Sequence, residues 1–188
     1  MEKLTILILT HNRPKLFERC LNSVLKNIPE YVEVIVNNDS NDIIEIPHSQ
    51  VKYYYYQNDN IGYIYDFLLR KSKTNYIYFL EDDDYILPNF WKTIILKNSI
   101  YQYIPDGGYK QYLKFFKNDK DFKRYFQLGQ IIFNKNYIII PKDNNINNDW
   151  NIYIQIKDWE YIKKPIYRQT TDGKDNISFK EFNNDRRF

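Results

Sequence analysis

The chain has 188 residues, 27 basic and 24 acidic side chains and a net charge of +3. This length suits one domain, and the near balance of charge argues against a stable nucleic-acid partner. Cys20 is the only cysteine, which excludes an intrachain disulfide and a cysteine-based zinc site.

Residues 4–10 (LTILILT) form a continuous apolar, β-branched run and read as a buried parallel strand. The run is too short for a secretory leader, and no later window approaches a membrane span. The expectation is a soluble, cytoplasmic protein with no transmembrane segment. His11-Asn12-Arg13-Pro14 breaks the strand, and Pro14 suits the first turn of a helix. Leu16, Phe17, Cys20, Leu21, Val24 and Leu25 then follow helical spacing. This places Cys20 in the core as a small apolar residue. Residues 32–36 predict a second strand, ending in the polar turn 37–42. Residues 51–56 predict a third, followed by the loop Asn58-Asp59-Asn60-Ile61-Gly62, a helix over 63–72 and a fourth strand over 76–80.

That fourth strand ends abruptly in Glu81, Asp82, Asp83 and Asp84. Adjacent carboxylates repel one another unless a cation or solvent neutralises them. Hard oxygen ligands suit Mg²⁺ or Mn²⁺, ions that also bind substrate phosphates. The run therefore reads either as a divalent-metal site for a phosphorylated ligand or as an acidic surface turn. Strand and helix alternate up to this point, with each polar motif at the C-terminal end of a strand. This is the βαβ pattern of a parallel sheet, whose ligands bind outside the carboxyl ends of the strands. Residues 10–13, 37–42, 58–62 and 81–84 are expected to meet at one edge.

After Pro88 the pattern changes. Residues 89–99 predict a helix burying Phe90, Trp91, Ile94 and Ile95, and 101–108 read as irregular. Residues 112–126 are basic and aromatic, a surface helix or loop. Residues 130–133 and 137–140 predict short strands, 150–156 a helix and 162–167 a last strand. The polar tail 171–188 has the composition of a partly disordered segment. His48 is expected to be exposed. His11 reads as a hydrogen-bonding loop residue.

Taken in order, LTILILTHNRPKLFERCLNSVL, EVIVNNDSND, NDNIGY, YIYFLEDDDYILP, LGQIIFNKNYI, NNDWNIYIQI and KKPIYRQTTDGKDNIS resemble the family 2 glycosyltransferases over about residues 4–178. The resemblance implies an α/β GT-A fold, a Rossmann-like, mostly parallel sheet flanked by helices with a small C-terminal acceptor-side extension. It implies one domain over 1–188. Residues 1–88 would form the nucleotide-sugar half, 89–170 the acceptor side and 171–188 the tail. It further implies metal-dependent, inverting transfer from a nucleoside-diphosphate sugar, UDP-sugar favoured, to a glycan or other hydroxyl acceptor.

By the same resemblance Thr10 contacts the base, with Asn12 and Arg13 beside it. The family's second turn reads Asp-Asp-x-Ser-x-Asp, its second Asp holding uracil. This chain has Asn37 and Asn38 there, with Asp39 one step later; Asn38 retains donors and an acceptor for a base edge. Gly62 brings the backbone close to the nucleotide. The family's Ala-Arg-Asn segment is absent, and Asp66 stands near its place. Asp83 matches the ligand of Mn²⁺ or Mg²⁺ in the Asp-x-Asp motif. Glu81 and Asp82 would face the ribose or the metal's water shell. Asp84 reads better as a helix N-terminal residue than as an outer acid of the metal site. Asp149 matches the general base, and from its residues alone also suits an N-cap. Arg168 matches an arginine near the donor phosphates, and equally suits a surface ion pair. Residues 109–126 read equally as an acceptor lid and as a cover for the core. The alternatives are a non-catalytic nucleotide-sugar-binding module and a sugar nucleotidyltransferase. The second should carry a glycine-rich phosphate loop after the first strand, where this chain has His11-Asn12-Arg13-Pro14.

Overall fold

The computed structural model describes residues 2–40, 45–104, 127–140 and 148–170. Three parallel pairings build its centre. β1 (Leu4–Thr10) lies between β2 (Val32–Asn38) and β4 (Tyr76–Glu81), and β3 (Val51–Tyr54) extends β2 at the edge. Side chains alternate across a strand, and both faces of β1 are covered. Leu4, Ile6 and Ile8 join one core with Phe17, Cys20, Leu21 and Val24 of helix α1 (Pro14–Leu25). Leu7 joins the opposite core with Ile64 and Leu68 of α2 (Ile61–Lys71). This double burial is why the first strand has no polar alternation.

The two helices start differently. α2 is capped by Asn60, whose side chain accepts from the Gly62 N–H at 2.9 Å, and Arg70 and Lys71 in its last turn favour its C-terminal dipole. α1 has no side-chain cap; Pro14 presets its first turn. Its hold is packing: a fully buried Phe, Leu or Val contributes about 1.5–3 kcal/mol. Asn12, at φ 52°, makes the sharp exit from β1 in a left-handed conformation that asparagine tolerates better than most residues.

The C-terminal half continues the same sheet. β5 (Tyr85–Ile86), β6 (Ser99–Ile104), β7 (Ile131–Asn134) and β8 (Glu160–Arg168) complete the order β3-β2-β1-β4-β7-β6-β8-β5. Here β4–β7, β6–β7 and β5–β8 are antiparallel, and β6–β8 is parallel. Among the described residues eight strands thus form one mixed sheet flanked by helices.

Several expectations fail in this half. The helix foreseen over 89–99 shrinks to α3 (Phe90–Thr93). The paired β-branched residues Ile94 and Ile95 leave the helix, the Tyr101 hydroxyl accepts from the Ile95 N–H at 2.8 Å, and residues from Ser99 onward are recruited by β7 and β8. Residues 101–104, expected to be irregular, are strand for the same reason. Residues 137–140 form no strand. A one-turn 3₁₀ helix (Lys135–Tyr137) gives way to extended chain in which Ile139 exchanges hydrogen bonds with the Gln155 side chain. The late helix α4 is Asn148–Tyr153, earlier and shorter than expected. The last strand is present and longer than foreseen. The segment 105–126, with its lid reading, and the tail 171–188 lie outside the described residues.

Candidate active site

The C-terminal ends of β1, β2 and β4 and the loop before α2 enclose a cavity of about 680 Å³. Its polar wall carries His11, Asn12, Arg13, Asp39, Asn58 and Asp59, and the acids Glu81, Asp82 and Asp83. Its floor is apolar, with Leu7, Ile64, Tyr65, Phe79 and Leu128. The four polar loops expected to meet at one sheet edge do meet there.

The acids arise from a tight turn. β4 ends at Glu81, the Asp84 N–H donates back to the Glu81 carbonyl at 3.1 Å, and β5 begins at Tyr85. The turn drives Asp82, Asp83 and Asp84 inward, to 2%, 2% and 3% exposure, so the surface-turn reading fails. Arg13 reaches over them, with Nη1 at 3.0 Å from Asp83 Oδ2 and 3.3 Å from Asp82 Oδ1. The Thr10 hydroxyl donates to Asp82 Oδ2 at 2.8 Å. Burial raises the Asp82 pKa to about 6 against the pull of Arg13 and Thr10, and raises that of Asp83 against Arg13 and Arg19. Asp84 is pushed to about 8, first by burial and then by the Asp83 charge. Desolvated acids crowded this closely are short of positive charge.

Glu81, Asp83 and Asp84 each offer a carboxylate oxygen, and these oxygens lie within 4.8 Å of one another. Three hard anionic donors at this spacing, two of them buried, fit Mg²⁺ or Mn²⁺. Asp84 therefore belongs to the acid cluster. It is not a helix N-terminal residue, because β5 and not a helix follows it.

On the other side of the cavity Asp39 Oδ1 lies 2.6 Å from His11 Nδ1, and Asn12 Nδ2 lies 3.0 Å from His11 Nε2. An amide nitrogen only donates, so Nε2 accepts and Nδ1–H donates to Asp39. Asn37 and Asn38 are turned inward. Asn37 bonds both the N–H and the carbonyl of Tyr56, and Asn38 Oδ1 accepts from the Ser40 N–H at 3.0 Å. Asn38 is 1% exposed. Among the described residues after β2, the acid that lines the cavity is Asp39.

Other expected residues fall away from the cavity wall. Thr10 is buried behind Asp82, and Gly62 is buried in the first turn of α2. Arg168 ends β8 opposite Tyr85 and Ile104. Asp66 pairs with Arg70 at 2.9 Å along α2. His48 is half-buried rather than exposed, its Nδ1 accepting from the Gln50 N–H. Cys20 is buried and its thiol pKa is raised well above the ordinary value, first by burial, so it packs and is no nucleophile. Asp149 stands on α4, and its side chain lies outside the described residues. Asn58 and Asp59 of the expected loop 58–62 line the wall. Two contributors went unforeseen: Arg19 of α1 donates to the Asp83 carbonyl at 2.5 Å, and Thr170 touches both Asp83 and Asp84. Nothing local marks Arg19 or Thr170.

The description "Glycosyl transferase family 2" matches residues 5–171. The chain belongs to this family. Its fold is that of S. aureus TarS, with a TM-score of 0.70 at 17% identity over 90% of this chain and 37% of that chain. TarS 1-349 in complex with UDP-GlcNAc gives 0.70 at 18% identity over 94% of this chain and 60% of that one, and the complex with UDP gives 0.68 at 17% over 90% and 60%. This family 2 chain thus spans less than two thirds of the TarS chains it matches. No curated protein sequence matches it. No helix among the described residues is long and apolar enough to cross a membrane.

Proposed function

We propose that this chain transfers a sugar from a nucleoside-diphosphate sugar, UDP-sugar favoured, to an acceptor hydroxyl with inversion and with help from Mn²⁺ or Mg²⁺. One observation carries the reading: three carboxylate oxygens within 4.8 Å of one another stand where β4 ends at the cavity, and Asp83 and Arg13 both line its wall. The family assignment and the likeness to a fold solved with UDP-GlcNAc support it.

Glu81, Asp83 and Asp84 would hold the cation, which supplies positive charge to the diphosphate as it leaves. Arg13 is placed to share that charge, because its guanidinium already bridges Asp82 and Asp83. Asp39, oriented by His11, offers an acceptor to an N–H on a base edge, as uracil presents. Thr10 and Asn38 act behind it, the first by orienting Asp82 and the second by shaping the turn before Ser40. Asp149 is the proposed base. An acceptor hydroxyl is a weak nucleophile until its proton is taken, and a single base with one direct attack inverts the anomeric centre.

The test is product analysis. The full chain, UDP-sugars, Mn²⁺ and an acceptor panel should give release of UDP and a new glycosidic bond of inverted configuration by NMR. Retention of configuration would overturn the one-base mechanism. Release of pyrophosphate from a nucleoside triphosphate and a sugar phosphate would overturn the transferase reading.

A further inference from the structure

We propose that Thr170, backed by Arg19, is the positioning residue that holds Asp83 and Asp84 in the geometry a divalent cation needs. The inference rests on the metal-dependent reading above and assigns the end of β8 a part in it. A carbonyl only accepts, so the Thr170 hydroxyl spends its proton on the Asp83 carbonyl and its oxygen accepts from Arg19 Nη2 at 2.8 Å. The Thr170 N–H donates to Asp84 Oδ1 at 2.9 Å. One residue thus fixes the main chain of Asp83 and the side chain of Asp84.

Thr170 is itself held. It is 5% exposed, Gln169 N–H donates to the Ile104 carbonyl at 3.0 Å, and Arg168 lies opposite Tyr85 in the strand pairing. Arg19 is carried by α1, and its guanidinium sits 5.3 Å from the centre of the Tyr85 ring. The need for such a brace is electrostatic. Adjacent buried carboxylates push apart, and a cation that meets them already gathered binds without the cost of gathering them. Outer partners that orient ligands in this way change metal affinity by about 10–100-fold.

The experiment is Mn²⁺ titration of the full chain without donor, with free Mn²⁺ read by electron paramagnetic resonance. Thr170→Val removes the hydroxyl at near-constant shape, Thr170→Ser keeps it, and Arg19→Lys keeps the charge but loses the planar fork. The expected result is an affinity about 10-fold weaker in Thr170→Val and Arg19→Lys, and near wild type in Thr170→Ser. Wild-type Mn²⁺ affinity in Thr170→Val, with binding lost in Asp83→Ala, overturns this inference and leaves the metal reading standing. A lowered melting temperature in Thr170→Val with unchanged affinity of the folded protein also overturns it, because the role is then structural. Absence of saturable Mn²⁺ binding in wild type overturns the metal reading itself, and this proposal with it.

Discussion

β1, β2 and β4 run parallel between α1 and α2, and each delivers its loop to the cavity within a few residues of its own end. β5, β6, β7 and β8 are short or bulged and pair in both senses; β5 leaves the acid turn directly, and β8 meets it from far along the sequence, where the strand ends at Arg168 and Thr170 follows. The first half builds the ligand wall from local connections. The second half braces that wall from 86 residues away in sequence. Cavity-lining groups thus come from local connections, and the groups that brace the acid turn come from distant ones.

The largest expected effect is at the proposed base. Asp149→Asn should lower transfer by about 10²–10⁴-fold with donor affinity unchanged; wild-type turnover in this variant removes Asp149 as the base. Arg13→Ala tests the wall itself. It strips a cation from two buried acids and should cost about 2–3 kcal/mol in urea unfolding, less than a fully buried pair because Arg13 is one-fifth exposed. Added Mn²⁺ should restore part of that loss. No change in stability would mean the guanidinium does not neutralise the turn.

A gentler probe is pH. Asp82 and Asp84 are raised from 3.8 to about 6 and about 8, so the folded state holds their protons more tightly than the unfolded chain. Their contribution to stability is full below the ordinary carboxylate value and is lost as pH rises through 6 and then 8. The metal-free protein should therefore lose stability from pH 5 to 9, and saturating Mn²⁺ should flatten or reverse that slope. A flat metal-free profile would contradict the crowding of these acids. The smallest effect lies far from the cavity, at Glu33. Burial pushes its pKa up, but hydrogen bonds from Lys52, Thr5 and the Lys73 N–H bring it below the ordinary value. Its contribution is present above that ordinary value and lost as pH falls through the lowered one. Glu33→Gln should cost about 1 kcal/mol at neutral pH and less in acid, with Mn²⁺ binding unaffected.

The parallel half was legible because its signals are local. Doubly buried strands are continuous apolar runs, Pro14 marks a helix start, and polar clusters mark strand ends. The acid run was legible as a metal candidate for the same reason. The C-terminal half was not, because Ile94 and Ile95 carry helix-compatible spacing and residues 101–104 carry no strand pattern; they become loop and strand only when β7 and β8 are there to pair with the segment from Ser99 onward. The partner of Asn38 was hidden for a related reason. Its amide suits a base edge, but nothing in the sequence says that Ser40 takes its oxygen first. Thr170 is an ordinary polar residue in an ordinary polar tail until the sheet folds it against Asp84.

Calorimetry of donor binding separates a metal-dependent donor site from its absence. UDP-, GDP-, dTDP- and CMP-sugars would be titrated with and without Mn²⁺ into wild type and Asp83→Ala. One donor class, UDP-sugars first, should bind wild type only with Mn²⁺ and should not bind Asp83→Ala. Failure of every donor to bind, or equal binding by Asp83→Ala, would contradict the metal-dependent donor site.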